Sequence, residues 1–143
     1  MMILVAGLVA GCAAPSSNMV LGPPREVGVA EAKALVAAGQ AVPIDMRSPH
    51  EYASGHIPGA VLVPFGSPKV ERRVRKAMGD RQALVYCRIG KRSGISLQEL
   101  SGIPGVLHLT GGIAAWKEAG GALEQSAAGP LAVERKTEVY RFF

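Results

Sequence analysis

With 143 residues, 48% of them apolar, the chain has enough material for one buried core and too little for two domains of ordinary size. Two cysteines, Cys12 and Cys87, exclude a disulfide framework. The formal charge of +5 favours anionic partners, but aromatics are 5% of the chain and its basic residues are scattered outside "ERRVRKAMGDR", which argues against nucleic-acid binding.

The chain opens on "MMILVAGLVAGC", an uncharged apolar run too short to span a bilayer and suited to a signal-peptide core. Its last four residues, "VAGC" (Val9 to Cys12), resemble a bacterial lipobox, in which the cysteine is lipidated and becomes the mature N-terminus. Residues 1–11 are therefore expected to be a lipoprotein signal peptide, Cys12 the lipidation site and 12–26 a flexible tether through "SSN" to "GPP". That places the protein at the bacterial cell envelope, held to a membrane by an acyl anchor and facing the periplasm. Ala13 in the position after the cysteine, where Asp would signal inner-membrane retention, favours the outer membrane. One feature departs from the pattern: no Lys or Arg precedes the apolar run, so a buried N-terminal strand or helix stays open as the alternative.

From Val27, "VGVAEAKALVAAGQ" has the spacing of a helix, with Val29, Ala32, Val36 and Ala37 near one face and Gly39 as its stop. "AVPID" (Ala41 to Asp45) reads as a strand, with Pro43 awkward inside a sheet. "SPHEYASG" carries a serine N-cap, a proline at the first helical position and Glu51 three residues after the cap. "AVLVPF" (Ala60 to Phe65) is the next strand. "SPKVERRVRKAMG" repeats the Ser-Pro start, with Val70, Val74, Ala77 and Met78 buried and Arg72, Arg73, Arg75 and Lys76 on a solvated face. "ALVYC" and "VLHL" (Val106 to Leu109) are further strands, each followed by a glycine-bearing loop and a helical stretch, the first of these being "GISLQELSG". Strand and helix alternate with short links, so the expected fold is α/β, a parallel sheet with helices on both faces. Residues 124–143 lack a pattern and stand open between an edge strand and a mobile tail.

The densest chemistry lies in "CRIGKRS", Cys87 to Ser93. Cys87 ends an apolar strand of a parallel sheet, where ligand sites form. The amides of Arg88 to Ser93 then turn inward around the sulfur, with Arg88, Lys91 and Arg92 close by, and both effects favour thiolate over thiol. A thiolate at neutral pH suits attack on sulfur or on phosphorus. The alternative is a buried structural cysteine, which has no need of three cations and a glycine turn behind it.

Four stretches in order, "IDMRSPHEY", "GHIPGA", "VYCRIGKRS" and "LTGGIAAW", make the chain clearly similar to the rhodanese family over roughly residues 27–123. The resemblance implies a five-stranded parallel sheet and a cysteine cycling between thiolate and persulfide. Sulfur-transferring members place four residues between cysteine and arginine, whereas related phosphatases and arsenate reductases place five. Here Arg88, Ile89, Gly90 and Lys91 separate Cys87 from Arg92, and that count of four favours sulfur transfer. On that resemblance Cys87 is the nucleophile, and Arg88, Ile89, Gly90, Lys91, Arg92 and Ser93 form the substrate cradle. Arg88 and Lys91 would meet a small anionic sulfur donor, Arg92 would brace the loop, and cyanide or a thiol would accept the sulfur. A cationic loop leans toward thiosulfate or polysulfide over mercaptopyruvate.

The same resemblance sets Asp45 and Arg47 under the loop as struts; a local Arg47–Glu51 ion pair capping the short helix is the competing reading. His56 is read as a turn residue, Gly111 and Gly112 as a tight turn, and Trp116 as core. His50 and His108 lack ligand-spaced neighbours, so neither metal nor cofactor is expected, and a monomer is. Two other functions stay open: a sulfur-carrier or docking module without turnover, and a phosphatase resting on fold analogy alone.

Overall fold

The computed structural model describes residues 20–126. The proposed leader, Cys12 and the tail from 127 onward lie outside the described residues. Within them, strands β1 (Arg25–Val27), β2 (Ala41–Asp45), β3 (Val61–Leu62), β4 (Gln82–Tyr86) and β5 (Val106–Leu109) form a five-stranded sheet in the order β1-β5-β4-β2-β3. Every pairing is parallel. Between and after the strands run α1 (Val29–Ala37), α2 (Pro49–Ser54), α3 (Val70–Met78), α4 (Lys91–Ser96) and α5 (Gly112–Glu118). This is the α/β architecture that the alternating pattern predicts.

Alternation along the strands divides the core in two. Leu84, Tyr86, Leu107 and Leu109 pack with Ala32, Tyr52, Ile113 and Trp116 under α1, α2 and α5. Ala83, Val85, Ile44 and Val106 pack on the other face with Val70, Val74, Met78 and Leu100, beneath α3 and the chain after α4. Both faces of the central strands are thus dry, which is why β2 and β4 read as near-continuous apolar runs.

Pro43 sits in the middle of β2 without breaking it. Successive residues of a strand aim their backbone groups to opposite sides. Asp45 offers its carbonyl to Val63 on the β3 side, while Met46 donates to Tyr86 on the β4 side. Pro43 therefore faces with Asp45 toward β3, and β3 begins pairing only at Ile44. The missing N–H falls where no partner strand stands.

Several boundaries differ from the sequence reading. Val27 belongs to β1, not to the first helix, and Leu21 packs against the core, so the folded part begins inside the stretch read as tether. β3 covers Val61–Leu62 alone, a short edge strand in place of a six-residue one. The cap of α3 is Lys69 in the left-handed region (φ 56°), not Ser67, whose hydroxyl turns back to the Pro64 carbonyl. α4 starts at Lys91, earlier than "GISLQELSG" suggests, and ends at Ser96. The capping box of α2 forms as expected: Ser48 Oγ accepts from the Glu51 amide at 3.2 Å, and Glu51 Oε2 accepts from the Ser48 amide at 2.9 Å. Of the tail, Glu124 forms an antiparallel bridge with His56, and no further strand is present among the described residues.

Candidate functional site

The parallel strands deliver their C-terminal ends to one edge of the sheet, and β4 delivers Cys87 there. The next three residues turn sharply at Gly90 (φ 99°) before α4 begins. The turn brings the Gly90 amide to 3.2 Å from Cys87 Sγ and the Ser93 hydroxyl to 3.4 Å. Cys87 is 1% exposed. Burial pushes its thiol up, but the Ser93 hydroxyl and the amides of Ser93, Gly90 and Ile89 outweigh it, and the net shift from 9.0 is downward. A buried sulfur faced by backbone and hydroxyl donors is a site that favours negative charge.

The loop is held from behind by α5. Ile113 and Ala114 donate their amides to the carbonyls of Cys87 and Arg88 at 2.9 and 3.0 Å. Those bonds point the loop carbonyls away from the sulfur and leave its amides on the inside. The approach requires Gly112: a Cβ there would lie 2.5 Å from the Cys87 carbonyl oxygen, and the residue adopts φ 61°. The "GG" of the sequence is thus more than a tight turn, since its second glycine lets α5 dock on the backbone of Cys87.

The side chains of the loop divide by direction. Arg88, Ile89 and Lys91 are exposed, whereas Ser93 is buried and Arg92 lies between. Arg92 extends across to α2 and grips Glu51 with two bonds of 2.9 Å each. Glu51, already the capping-box carboxylate, is held at about 2 by the Arg92 hydrogen bonds, helped by the Ser48 amide and opposed by burial. The sequence alternative that paired Glu51 with Arg47 is overturned: the partner of Glu51 is a cation 41 positions away.

Arg47 turns instead to Asp45. Its backbone N–H and Nε donate to Asp45 Oδ1 at 2.9 and 3.0 Å, its Nη2 donates to Oδ2 at 2.7 Å, and Nη2 also reaches the Gly55 carbonyl at 2.7 Å. Tyr86, next to Cys87, donates its hydroxyl to Asp45 Oδ2 at 2.9 Å and accepts from the Ile57 amide. Burial, reinforced by the charge of Asp45, pushes that hydroxyl well above the ordinary tyrosine range, so it remains a donor. Asp45 and Arg47 therefore lie close to the loop and meet it through Tyr86.

Two histidines have roles that sequence spacing did not reveal. His56 is buried in the turn after α2, stacked on Tyr52 at 3.7 Å, with Nδ1 bonded to the Tyr52 carbonyl and Nε2 near Glu124. His108 projects from β5 beneath the loop, its Nε2 2.9 Å from Ser93 Oγ and its Nδ1 3.4 Å from Glu26 Oε1. The only sequence signal for His108 is a polar residue at an inward position of an apolar strand. No cluster of His, Cys, Asp and Glu suited to a metal ion occurs among the described residues.

A cysteine sulfur cradled by donors at the C-terminal edge of a five-stranded parallel sheet defines the class of α/β domain. The rhodanese-like domain model matches residues 28–119, and the chain belongs to that family. It is 33% identical over 98 residues to an uncharacterised Synechocystis protein, covering 67% of this chain and 54% of that one. It is 30% identical over 109 residues to Arabidopsis thaliana thiosulfate sulfurtransferase 16, covering 68% of this chain and 90% of that one. Among solved structures, a thiosulfate sulfurtransferase from Pseudomonas aeruginosa superposes with a TM-score of 0.64 at 33% identity, over 71% of this chain and 20% of that one. The chain spans about half of the Synechocystis relative and 19% of two Mycobacterium tuberculosis relatives.

Proposed function

We propose that the protein is a sulfurtransferase that carries sulfane sulfur on Cys87 from thiosulfate or a polysulfide to cyanide or a thiol. The observation that carries this is the cradle itself: a buried Cys87 Sγ facing the Gly90 amide and the Ser93 hydroxyl, with four residues between it and Arg92. Membership of the rhodanese-like family and similarity to proteins named as sulfurtransferases support the reaction class.

In the first half-reaction the thiolate attacks the outer sulfur of thiosulfate. The S–S bond breaks and sulfite departs with its electron pair, leaving a persulfide on Cys87. In the second, cyanide or a thiolate attacks that outer sulfur, and the Cys87 thiolate leaves. Both resting forms of the site are anions in the same place, so donors fixed by α5 and the Gly90 turn stabilise each without rearrangement. Exposed Arg88 and Lys91 attract the donor anion, and the depth of Cys87 favours a slim terminal sulfur over a bulky one. Arg92, tied to Glu51, holds the loop against α2.

Mass analysis of the Cys87 peptide after incubation with thiosulfate is expected to show one added sulfur, which cyanide then removes. A folded protein whose Cys87 stays unmodified with both thiosulfate and polysulfide refutes the reading. We place the protein at the bacterial envelope, anchored through a lipid on Cys12, on the strength of "VAGC" after an apolar run. Palmitate incorporation that disappears in Cys12→Ala is the expected result.

A further inference from the structure

Behind the cysteine loop stands a chain of polar groups whose far members, His108 and Glu26, the sulfur chemistry above does not use. Cys87 Sγ lies 3.4 Å from Ser93 Oγ, Ser93 Oγ lies 2.9 Å from His108 Nε2, and His108 Nδ1 lies 3.4 Å from Glu26 Oε1. Four elements contribute: the end of β4, α4, β5 and β1. Ser93 is 0% exposed and His108 is 6% exposed, so water does not compete for the bond between them, whereas the Glu26 side chain is 69% exposed and meets the ring at the edge of the solvent. Glu26 sits directly across the β1–β5 ladder from His108, while Val85 opposite on β4 is apolar. Gly90 and Gly94 line the ring edge, where an added Cβ would make ordinary contacts of 3.7 and 3.6 Å with Cε1. Among the described residues, the titratable groups facing this ring are therefore Glu26 from β1 and, through Ser93, Cys87.

Ser93 has one proton to give and two neighbours that could take it. If His108 Nε2 were a bare acceptor, the hydroxyl would be drawn to the ring and lost to the sulfur. If Nε2 carries a proton, it donates to Ser93 Oγ, and the hydroxyl proton is left to point at Sγ. We propose that His108, backed by Glu26, is a positioning residue that aims the Ser93 hydroxyl at Cys87 whenever the sulfur is charged. The relay runs both ways. With a thiol, S–H donates to Ser93 Oγ, Ser93 donates to Nε2 and Nδ1–H faces Glu26. On ionisation the sulfur proton passes to Ser93 Oγ while the serine's own proton passes to Nε2. The products are a thiolate and an imidazolium, with the Glu26 carboxylate beside the new positive charge and no proton lost. The inference rests on Cys87 being the nucleophile proposed above and not on the atom it transfers.

The test is the pH dependence of Cys87 alkylation by iodoacetamide in the full chain, read on the Cys87 peptide so that Cys12 does not contribute. It requires no sulfur donor, so failure of sulfur transfer leaves it readable. In His108→Leu the alkylation midpoint is expected to rise, with roughly a tenfold slower rate at neutral pH, because the charge-assisted bond from Ser93 is no longer enforced. His108→Gln, which donates through its amide nitrogen but cannot take up the sulfur's proton, is expected to recover only part of the rate, roughly threefold over leucine, and to leave the midpoint above that of wild type. In a Ser93→Ala background, His108→Leu should have no further effect, since the two residues act in series. If His108→Leu does not fold, Glu26→Gln replaces it, with a fall of about twofold that also vanishes in Ser93→Ala. An unchanged profile in the folded variant, an equal fall in the Ser93→Ala background or no rescue by glutamine overturns the assignment.

Discussion

The edge of the sheet that carries Cys87 holds two arginine–carboxylate pairs, and they contrast in almost every respect. Asp45 and Arg47 are two residues apart on one strand end, with side chains 0% and 5% exposed. Glu51 and Arg92 come from different helices, with side chains 30% and 33% exposed. The first pair is enclosed: Tyr86 donates to Asp45, the Gly55 carbonyl accepts from Arg47, and the Ile57 amide holds the Tyr86 hydroxyl in place. The second is open to water and ties the far end of the cysteine loop to a capped helix. Buried charges are costly to separate and exposed ones are not. The two pairs should thus serve different ends: the inner one holds β2, α2 and β4 in place, and the outer one sets the loop.

The largest effect is expected from breaking the inner pair. Arg47→Met fills a similar volume but leaves the Asp45 carboxylate buried without its cation, which costs about 3–5 kcal/mol. A domain of this size has about 5–15 kcal/mol to lose, so denaturant midpoints should fall steeply. Near-wild-type stability in Arg47→Met would remove the contrast at its root. An intermediate outcome is expected for the outer pair. Arg92→Gln should lower stability by about 0–1 kcal/mol, yet slow Cys87 alkylation by up to about tenfold, because the guanidinium lies close enough for its charge to be felt by the sulfur. A large stability loss with unaltered alkylation would reverse the roles assigned to the two arginines.

The parts of this design that lie close together in the chain were legible before any fold was known. "CRIGKRS" is contiguous, so its donors, cations and turn glycine announce themselves, and the α2 capping box needs only Ser48 and Glu51. Strands β2, β4 and β5 are visible because burial on both faces makes them continuously apolar. β1 was hidden because "REV" is three residues long with two of them exposed, leaving no periodicity to detect. The long-range partners were hidden for another reason. Glu51 and Arg92 are 41 positions apart, and Glu26 and His108 are 82 apart, so only the strand order and the crossover of α4 bring them together. Asp45 was the one buried partner with a warning in the sequence: a carboxylate closing an apolar strand must find a cation. Which cation, Arg47 or another, depended on side-chain direction that spacing does not fix.

The smallest effect expected is also the one that isolates Glu51. Its carboxyl is held at about 2, from an ordinary 4.5, by the hydrogen bonds of Arg92, with burial acting the other way and the Ser48 amide assisting. A depressed folded-state pKa means that the unfolded chain binds the proton first as pH falls. The pair's contribution is therefore complete above about 4.5, shrinks as pH drops below that value and is gone once it passes about 2. Because both side chains are substantially exposed, solvent screening keeps that contribution small. Urea midpoints of wild type and Glu51→Gln measured across this range should differ at the upper end and converge at the lower. Parallel curves that never converge would mean that Glu51 acts through packing of the α2 cap and not through its charge. Convergence accompanied by slower Cys87 alkylation in Glu51→Gln would place the anion, like Arg92, among the groups that set the loop.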